Sequence, residues 1–480
     1  MNFRVIFSTL GIILMIIGIS MLLPLAWSVY YASNDLLAFI ISSVITFLVG
    51  LFLFKGIKKP GEIRYKEGFA IVSLSWVLAS IFGALPYLIS GTFTNIADAI
   101  FETMSGFTTT GASVLTDIEV LPHGILFWRS LTHWLGGMGI VVLFVAVLSS
   151  IGVGGMQMFR AESPGPVAER IKPRISETAK ILWFTYVIFT IIEIILLWIF
   201  GMNLFDAMCH TFGTLATGGF STKNLSIGYY NSTIQWIIII FMFLSGANFA
   251  LYYSFLHNKT PKVFWKSDEF RLYSYIILSS ITIITIILAT NSYMPLDEAI
   301  TAAAFQVVSI ITTTGYATYD FDQWPLLAKS ILFTLMFVGG CAGSTGGSIK
   351  VGRILILIKQ AALELKKAIH PRMIIQLKIR EKVIPENIVI NILQFFFIYM
   401  MIFMLSSIIM TGFGLDILSA MTSVAATLGN VGPGLGLVGP AQNYNFVPSL
   451  GKLFLSFLML LGRLELYTVL VIFSPHFWKK

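Results

Sequence analysis

Long apolar runs constrain this chain more than any other feature of its sequence. Ten runs of about 20 residues, the length that an α-helix needs to cross a bilayer, alternate with short polar segments. Only 11% of the residues are charged, against about 25% in a typical soluble domain. We therefore predict a polytopic membrane protein that contacts the lipid bilayer through ten transmembrane helices, at residues 5–30, 36–56, 68–90, 124–150, 180–201, 233–256, 272–290, 328–358, 387–411 and 450–475.

The basic residues cluster in a few of the segments between these runs. They concentrate in 55–66, 159–180, 257–271 and 350–386, whereas the alternating segments carry acids, Asp98 and Glu102 among them. Loops rich in lysine and arginine stay in the cytoplasm, so we predict that the basic segments are cytoplasmic and the acidic ones external. Ten crossings then put both termini in the cytoplasm. The basic charge reflects topology, and we predict no binding to nucleic acid.

Four shorter apolar segments recur between the long runs, at residues 96–108, 205–216, 297–312 and 416–427. They are too short to cross a bilayer and too apolar to lie in water, so we predict re-entrant helices. Each leads into a motif rich in threonine and glycine, and the motifs align on Gly111, Gly219, Gly315 and Gly429. An acid precedes each glycine: Asp98, Asp206 and Asp416 by 13 residues and Glu298 by 17.

The repeated motif predicts a cation site. An acid suits the positive end of a short helix, and the negative end then points into the membrane and favours a cation. Glycine allows the backbone dihedrals that successive inward-facing carbonyls require, and a ring of such carbonyls is the basis of potassium selectivity. We predict K⁺ as the transported ligand, with no covalently bound cofactor. The expected ion-binding residues are Thr109, Thr110, Gly111, Ala112, Thr217, Gly218, Gly219, Phe220, Thr313, Thr314, Gly315, Tyr316, Leu428, Gly429 and Asn430.

Small residues interrupt the spanning helix that follows each motif. For Gly136, Gly246 and Gly462 we expect close helix packing. The third helix differs, since residues 339–347 include five glycines and cannot form a comfortable helix. This stretch lacks the Gly-Lys-Ser/Thr ending of a phosphate-binding loop and lies in the membrane, so we reject nucleotide binding there.

Charged residues inside the apolar runs are functional candidates. Arg463 lies near the middle of the last run. It either faces the ion path or forms a salt bridge with Glu465 or Glu193, although residues two apart on a helix do not face each other well. For Glu193 the sequence favours a structural role, as a partner of another side chain, over a role as an acid that couples ion movements.

Together these motifs resemble those of the Trk/Ktr/HKT superfamily of potassium transporters, most closely the bacterial Trk membrane subunit. The resemblance rests on residues 107–112, 133–139, 216–222, 339–347 and 462–465 and extends over nearly the whole chain. It implies an all-α, potassium-channel-like fold with four helix–pore-helix–helix repeats, a homodimer, and a cytosolic nucleotide-binding regulatory protein. It also implies an intramembrane gate below the filter, made of Gly340, Gly343, Ser344, Thr345, Gly346, Gly347 and Arg463, with Arg463 facing the pore.

These observations divide the chain into an N-terminal helix pair, four pore repeats and one linker. The boundaries are 1–66 for the pair, 67–157, 178–258, 270–360 and 387–478 for the repeats, and 361–386 for the basic cytoplasmic linker. We predict gated potassium uptake across the bacterial cytoplasmic (inner) membrane. The alternative is a secondary transporter that couples potassium to sodium or proton entry, for which Glu193 and Glu465 are the candidate acids. A membrane-embedded enzyme would need clustered catalytic groups, which the sequence lacks.

Overall fold

The computed structural model describes residues 1–55, 65–139, 175–290, 293–372, 376–379 and 382–479. Within these ranges six helical stretches are long and apolar enough to cross a membrane, and two sharply bent helix pairs raise the number to at most eight if each pair is one span, against the ten predicted. The protein is therefore a helical, multi-span membrane protein. The single spans are Phe3–Tyr30, Leu36–Phe54, Lys66–Ile89, Lys180–Ile199, Asp268–Thr290 and Glu386–Gly412, and the bent pairs are Ser232–Ser245 with Phe249–Asn258 and Ser449–Arg463 with Tyr467–Phe473.

The first two spans form a tightly packed antiparallel pair. Helices Phe3–Ser20 and Leu36–Lys55 are joined by the short helix Pro24–Tyr30. A Cβ added to Gly11 would lie 2.5 Å from the Gly50 carbonyl oxygen, and one added to Gly50 would lie 2.7 Å from that of Gly11. Such small residues let two backbones touch inside a membrane, where packing replaces the hydrophobic effect as the attraction between helices.

A four-part pattern then recurs along the chain: a long helix, a short helix, a non-helical segment and an interrupted helix. The first repeat contains Tyr65–Gly83, Leu85–Ile89, Ile96–Phe107 and His123–Trp134 with the π-helical turn Leu135–Gly139, and the second contains Ile175–Ile199, Leu204–Ala216, Ser226–Tyr229, Ser232–Ser245, Phe249–Asn258 and Lys262–Trp265. The third repeat contains Asp268–Thr290, Leu296–Ile311, Phe321–Gln323, Leu326–Leu335 and Val351–Ile369. The fourth repeat contains Glu386–Gly412, Ile417–Leu428, Gly436–Val438, Ser449–Arg463, Tyr467–Leu470, Val471–Phe473 and Pro475–Trp478.

The four short helices are the most deeply buried part of the fold. Every residue in 101–107, 209–216, 302–311 and 422–428 is buried. Their N-termini are capped by side chains at three of the four positions, because Asn95, Asn203 and Asp416 each accept a backbone N–H of the first turn. Asparagine and aspartate are among the best residues for this role. The third helix begins after Pro295, which provides no such side-chain hydrogen bond.

The described residues bear on three of the predicted segments. The run at 328–358 is two helices separated by a non-helical stretch at 336–350, as the five glycines in 339–347 predicted. The linker predicted at 361–386 begins inside the helix Val351–Ile369 and contains two short antiparallel strands, Lys378–Ile379 and Lys382–Val383, within an otherwise helical fold. The run at 124–150 extends beyond the described residues after position 139.

Candidate functional site

Each of the four short helices ends in the same backbone turn. The amide of Thr110 donates to the carbonyl of Ser105, five residues back, and the equivalent bonds join Gly218 to Gly213, Thr314 to Ser309 and Val431 to Ala426, at 2.8–2.9 Å. The residue before each donor is left-handed, with φ of 54° at Thr109, 55° at Thr217, 60° at Thr313 and 54° at Asn430. This is the Schellman arrangement. It forces three threonines into a conformation that β-branched residues avoid, and such strain is typical of functional sites.

Four glycines follow these turns and form a closed ring of backbone contacts. Gly111, Gly219, Gly315 and Gly432 have φ of 80°, 81°, 80° and 100°. An added Cβ would meet a carbonyl oxygen of the next segment in each case: Gly218 at 2.1 Å, Thr314 at 2.1 Å, Val431 at 2.1 Å and Thr110 at 2.6 Å, in that order. Each segment thus touches the next, and the fourth touches the first. A side chain at any of the four glycines would enter the space of a neighbouring carbonyl.

The ring corrects the predicted register of the fourth motif. We aligned Gly429 with Gly111, but Gly429 ends its helix with φ of −80°, and Leu428 is the last helical residue. The position equivalent to Gly111 is Gly432, and Asn430 is equivalent to Thr109 rather than to the residue after the glycine. Thr427 and Leu428 still belong to the helix. The tripeptide Thr427-Leu428-Gly429, which resembles Thr-Thr-Gly, therefore lies about one helical turn before the segment that joins the ring.

The residues after the first three glycines are buried beside the ring. Ala112 and Phe220 line the cavity at the ring, and the Phe220 ring lies 4.1 Å from that of His133 at a tilt of 34°. The Tyr316 hydroxyl donates to the carbonyl of His210 at 2.9 Å, which ties the third segment to the second short helix.

A cavity of about 190 Å³ opens on one side of the ring. All four ring glycines line it, together with Ser113, Ser221 and Ala317 from the segments that continue beyond them. Lys223 also lines it, and its ammonium lies 3.8 Å from the Glu119 carboxylate. The buried side chain of Arg129 also lines this cavity.

Arg463 lies on the opposite side of the ring. Its Nη1 donates to the Thr109 hydroxyl at 3.2 Å and to the carbonyl of Thr345 at 2.8 Å. Its Nη2 donates to the carbonyls of Gly136 and Gly137 at 2.6 and 2.5 Å. The guanidinium therefore joins the first ring segment, the π-helical turn and the non-helical stretch at 336–350.

The non-helical stretch packs against the third and fourth ring segments. The amide of Gly347 donates to the Thr313 hydroxyl at 2.7 Å, and a Cβ at Gly346 would lie 3.0 Å from the carbonyl oxygen of Thr312. Other backbone groups of the stretch are satisfied outside any helix: the carbonyl of Gly340 accepts from Val351, that of Gly343 from Phe249, and that of Gly346 from the Lys350 ammonium. The Ser344 hydroxyl is buried without a hydrogen-bond partner among the described residues.

The carboxylate of Glu269 joins the middle of this stretch to the first turn of the helix that follows it. It accepts the amide of Ala342 at 2.7 Å and that of Gly352 at 2.9 Å. These two bonds close the loop on the side away from the ring.

The glycines for which we expected close packing lie against the ends of the short helices. A Cβ at Gly136 would be 1.8 Å from the Phe107 carbonyl oxygen, and one at Gly462 would be 2.0 Å from that of Leu428. A Cβ at Gly246 would be 2.7 Å from Cγ2 of Thr312. The prediction of close packing is confirmed at all three positions, and the packing brings each interrupted helix against the ring.

The two acids considered beside Arg463 have other surroundings. Glu465 forms an ion pair with Arg353. Glu193 is fully buried and lies behind the second segment, near Thr214 and Tyr316.

The acids that precede the motifs have local roles. Asp98 forms an ion pair of 2.7 Å with Lys452, and Asp416 caps its helix. Burial alone would raise the pKa of Asp206, but hydrogen bonds from Thr222, Asn203 and Tyr230 and the attraction of His210 lower the pKa below its usual value. Glu298 lies in the first turn of its helix, as the dipole argument predicted.

Sequence reasoning missed three buried side chains beside the ring. Arg129, His133 and Glu102 are at most 1% exposed. We grouped Glu102 with the external acids, and we placed His133 only within the segment 133–139 that carries the family resemblance, without a role of its own. Arg129 and His133 lie four residues apart in an apolar run, a spacing that puts both on one helix face and that could have identified them.

The chain is similar to known proteins over its full length. A family model described as TrkH, cation transport protein, matches residues 36–480. The Trk system potassium uptake protein TrkH of Escherichia coli K12 is 42% identical over 100% of both chains, and TrkG of the same strain is 35% identical over 99% of both. The crystal structure of the potassium transporter TrkH from Vibrio parahaemolyticus matches with a TM-score of 0.90 and 38% identity, again over 100% of both chains.

Proposed function

Because this chain belongs to the TrkH family of cation transport proteins, we propose that it carries potassium ions across the membrane through the ring of four segments. Family membership confirms the resemblance inferred from the motifs and makes the protein a transporter and not an enzyme. The full-length relatives are named as potassium uptake proteins, which supports K⁺ as the transported ion.

The closed ring of glycines carries this proposal. Carbonyl oxygens of Thr110, Gly218, Thr314 and Val431 each lie beside a glycine of the adjacent segment, so four equivalent backbone groups surround one axis. Such oxygens replace the hydration shell of an ion that enters between them. The left-handed residues before them hold the chain rigidly, and the polar cavity outside the ring lets a hydrated ion approach.

Substitution of a ring glycine tests this filter. The variant Gly111→Ser places a Cβ 2.1 Å from the Gly218 carbonyl oxygen, so we expect lower discrimination between K⁺ and Na⁺. The measurement is the reversal potential of purified protein in liposomes under opposed K⁺ and Na⁺ gradients. Unchanged selectivity in a well-folded Gly111→Ser protein would refute the filter assignment.

We further propose that the loop at 339–348 and Arg463 form the gate beneath the filter. A fixed positive charge bonded to Thr109 opposes a cation that leaves the ring. Moving one elementary charge through a potential of 100 mV takes about 2.3 kcal/mol. A local potential of this size at Arg463 would therefore reduce the rate at which K⁺ leaves the ring. The loop is rich in glycine and moves at small steric cost, which suits a barrier that must open.

The gate has a direct test in K⁺ flux. Arg463→Ala, or shortening of the loop across 343–347, should raise K⁺ flux in liposomes in the absence of any partner protein. If Arg463 serves only helix packing, Arg463→Ala will instead lower the folded yield, and the surviving protein will conduct no faster than the wild type.

The positions of the acids favour passive conduction over coupled transport. A coupled mechanism needs a carboxylate in the ion path, but Glu465 is engaged by Arg353 and Glu193 is buried behind the second segment. Reversal potentials that follow K⁺ alone, without response to Na⁺ or pH gradients, would exclude the coupled alternative.

The remaining proposals concern topology and assembly. We place the protein in the bacterial cytoplasmic membrane with both termini in the cytoplasm, as the basic segments predict. We propose that it acts as a homodimer and that a cytosolic nucleotide-binding protein regulates the gate. The basic helix end around Lys366, Lys367 and Arg372 is the candidate docking site, and it continues directly from the loop at 339–348.

A further inference from the structure

One helix faces the backs of two ring segments with two buried polar side chains. The helix His123–Trp134 carries Arg129 and His133 four residues apart, which puts both on the same face. Arg129 is 1% exposed and His133 is fully buried. Buried polar groups are retained only where their hydrogen bonds are made, and the partners of these two groups belong to the first and second segments.

Arg129 joins the two segments just beyond their ring glycines. Its Nε donates to the Glu102 carboxylate at 2.9 Å, and its Nη1 donates to the carbonyl of Ser221 at 3.2 Å. The guanidinium carbon also lies 4.0 Å from the centre of the Phe220 ring. On the first segment, Glu102 accepts the Ser113 hydroxyl at 2.9 Å and the Val114 amide at 3.0 Å. The Arg129–Glu102 ion pair therefore connects the first and second segments just beyond their ring glycines.

His133 holds the second segment at the ring itself. Its Nε2 accepts the backbone N–H of Phe220 at 3.2 Å, and its Nδ1 lies 2.8 Å from the carbonyl oxygen of Gly106. An amide can only donate and a carbonyl can only accept, so the ring must be the neutral tautomer with its proton on Nδ1. A Cβ at Gly218 would lie 2.4 Å from this imidazole, so the imidazole and the second segment are in direct contact here.

The bond to Phe220 determines where the carbonyl of Gly219 points. In a trans peptide the C=O and N–H groups point in opposite directions. The N–H of the peptide between Gly219 and Phe220 points at His133, so the carbonyl of Gly219 points away from it. Gly219 lines the cavity beside the ring and His133 does not, which directs this carbonyl toward the proposed ion path.

We propose that His133, Arg129 and Glu102 form a filter clamp that orients the carbonyl of Gly219 and thereby contributes to discrimination between K⁺ and Na⁺. His133 and Glu102 do not line the cavity, and Arg129, which does, directs its guanidinium to Glu102 and Ser221, so the three are positioning residues that act through the backbone. This inference rests on the proposed filter function. Preorganised carbonyls distinguish ions by holding their geometry, and sites of this kind work only when the supporting groups lock them in place.

Two variants of His133 test the clamp. His133→Leu removes the acceptor for Phe220, and we expect the permeability ratio of K⁺ to Na⁺ to fall about tenfold. His133→Gln offers an amide oxygen near the place of Nε2 and should restore most of the ratio. Ser130→Ala is the matched control and should keep the wild-type ratio, because this buried hydroxyl on the same helix bonds to the carbonyl of Leu126 at 3.3 Å and to the Cys209 side chain, not to a ring segment.

The readouts separate positioning from folding. Reversal potentials in liposomes give the permeability ratio. The K⁺ and Na⁺ concentrations that half-maximally protect purified protein from thermal unfolding give ion preference without any need for an open gate, because a ligand that binds the native state stabilises it. Should His133→Leu fail to fold, Arg129→Lys serves instead, since it keeps the charge but loses the guanidinium that bonds Glu102 and Ser221 at once.

Gly219→Ser in the same preparation separates the clamp from the filter. Loss of selectivity in Gly219→Ser, with wild-type selectivity in folded His133→Leu and Arg129→Lys proteins, would overturn the clamp and leave the filter standing. Wild-type selectivity in all three would overturn the proposed filter itself. Loss in all three, with rescue by His133→Gln, is the expected result.

Discussion

The corrected register of the fourth segment leads to the sharpest prediction. Gly432→Ala should reduce K⁺ over Na⁺ discrimination, whereas the sequence alignment alone would assign that role to Gly429. At Gly432 the backbone φ is 100° and an added Cβ lies 2.6 Å from the Thr110 carbonyl oxygen. At Gly429 φ is −80°, which alanine adopts freely, and a Cβ lies 2.7 Å from the Ala425 carbonyl oxygen of its own helix end.

Two separate effects are expected at Gly432, and a control distinguishes them. A non-glycine residue at positive φ costs about 1–3 kcal/mol in stability. Gly414 has φ of 95° with nothing within 4 Å of its added Cβ, so Gly414→Ala should show this strain alone. The second effect, displacement of the Thr110 carbonyl by several tenths of an ångström, belongs to Gly432 only. A tenfold loss of discrimination would correspond to about 1.4 kcal/mol.

The assay compares the three alanine variants in liposomes. Reversal potentials under opposed K⁺ and Na⁺ gradients give selectivity, and thermal unfolding gives stability. We expect Gly414→Ala to lose stability with unchanged selectivity, Gly429→Ala to lose folded yield more than selectivity, and Gly432→Ala to lose selectivity. A folded Gly432→Ala protein with wild-type selectivity, beside a Gly429→Ala protein that has lost it, would refute the geometric register.

Three further predictions concern other parts of the molecule. The pKa of Asp206 is lowered in the folded protein, so its ionised form stabilises the protein at pH values above the usual aspartate pKa. This contribution disappears as the pH falls through the lower folded pKa. Asp206→Asn should therefore reduce stability at pH 7 and weaken the fall in unfolding temperature that the wild type shows at acid pH. Glu269→Gln weakens the hydrogen bonds from Ala342 and Gly352 and should raise K⁺ flux several-fold at constant selectivity; an unchanged flux would show that these two bonds do not hold the loop closed. Acidic replacement of Lys366, Lys367 and Arg372 should reduce co-purification with a cytosolic nucleotide-binding protein, while full retention would favour a purely topological role for these charges.

Local sequence signals were enough to locate the short helices and the break in the third interrupted helix. The short helices lie within about one residue of their predicted bounds, because length, apolar character and a following Thr/Gly motif leave few alternatives. Five glycines in 339–347 made a regular helix untenable, and the stretch is non-helical as expected. The placement of Arg463 against Thr109 also agrees with a position beside the ring.

Contacts between distant parts of the chain could not be predicted in this way. Arg129 and Ser221 are 92 residues apart, and His133 and Phe220 are 87 apart; no periodicity links them. The same holds for the register of the fourth segment. There, resemblance between tripeptides outweighed the helix-forming character of the residues up to Leu428, and only the contact between Gly432 and Thr110 reveals the true alignment.

The fourth segment also makes the ring unequal. The carbonyl of Gly432 accepts the Tyr444 hydroxyl at 2.9 Å, and the amide of Tyr444 donates to the carbonyl of Ser113 at 2.9 Å. One tyrosine thus ties the fourth segment to the first and occupies a lone pair of the outermost carbonyl. Gly432 departs from the other ring glycines in φ by about 20° and in its contact distance. An ion at the outer edge of the ring would therefore be coordinated less strongly on this side, while one level deeper, between Thr110, Gly218, Thr314 and Val431, the four segments share the same turn. The inner level is where fourfold coordination, and with it the strongest discrimination, is expected.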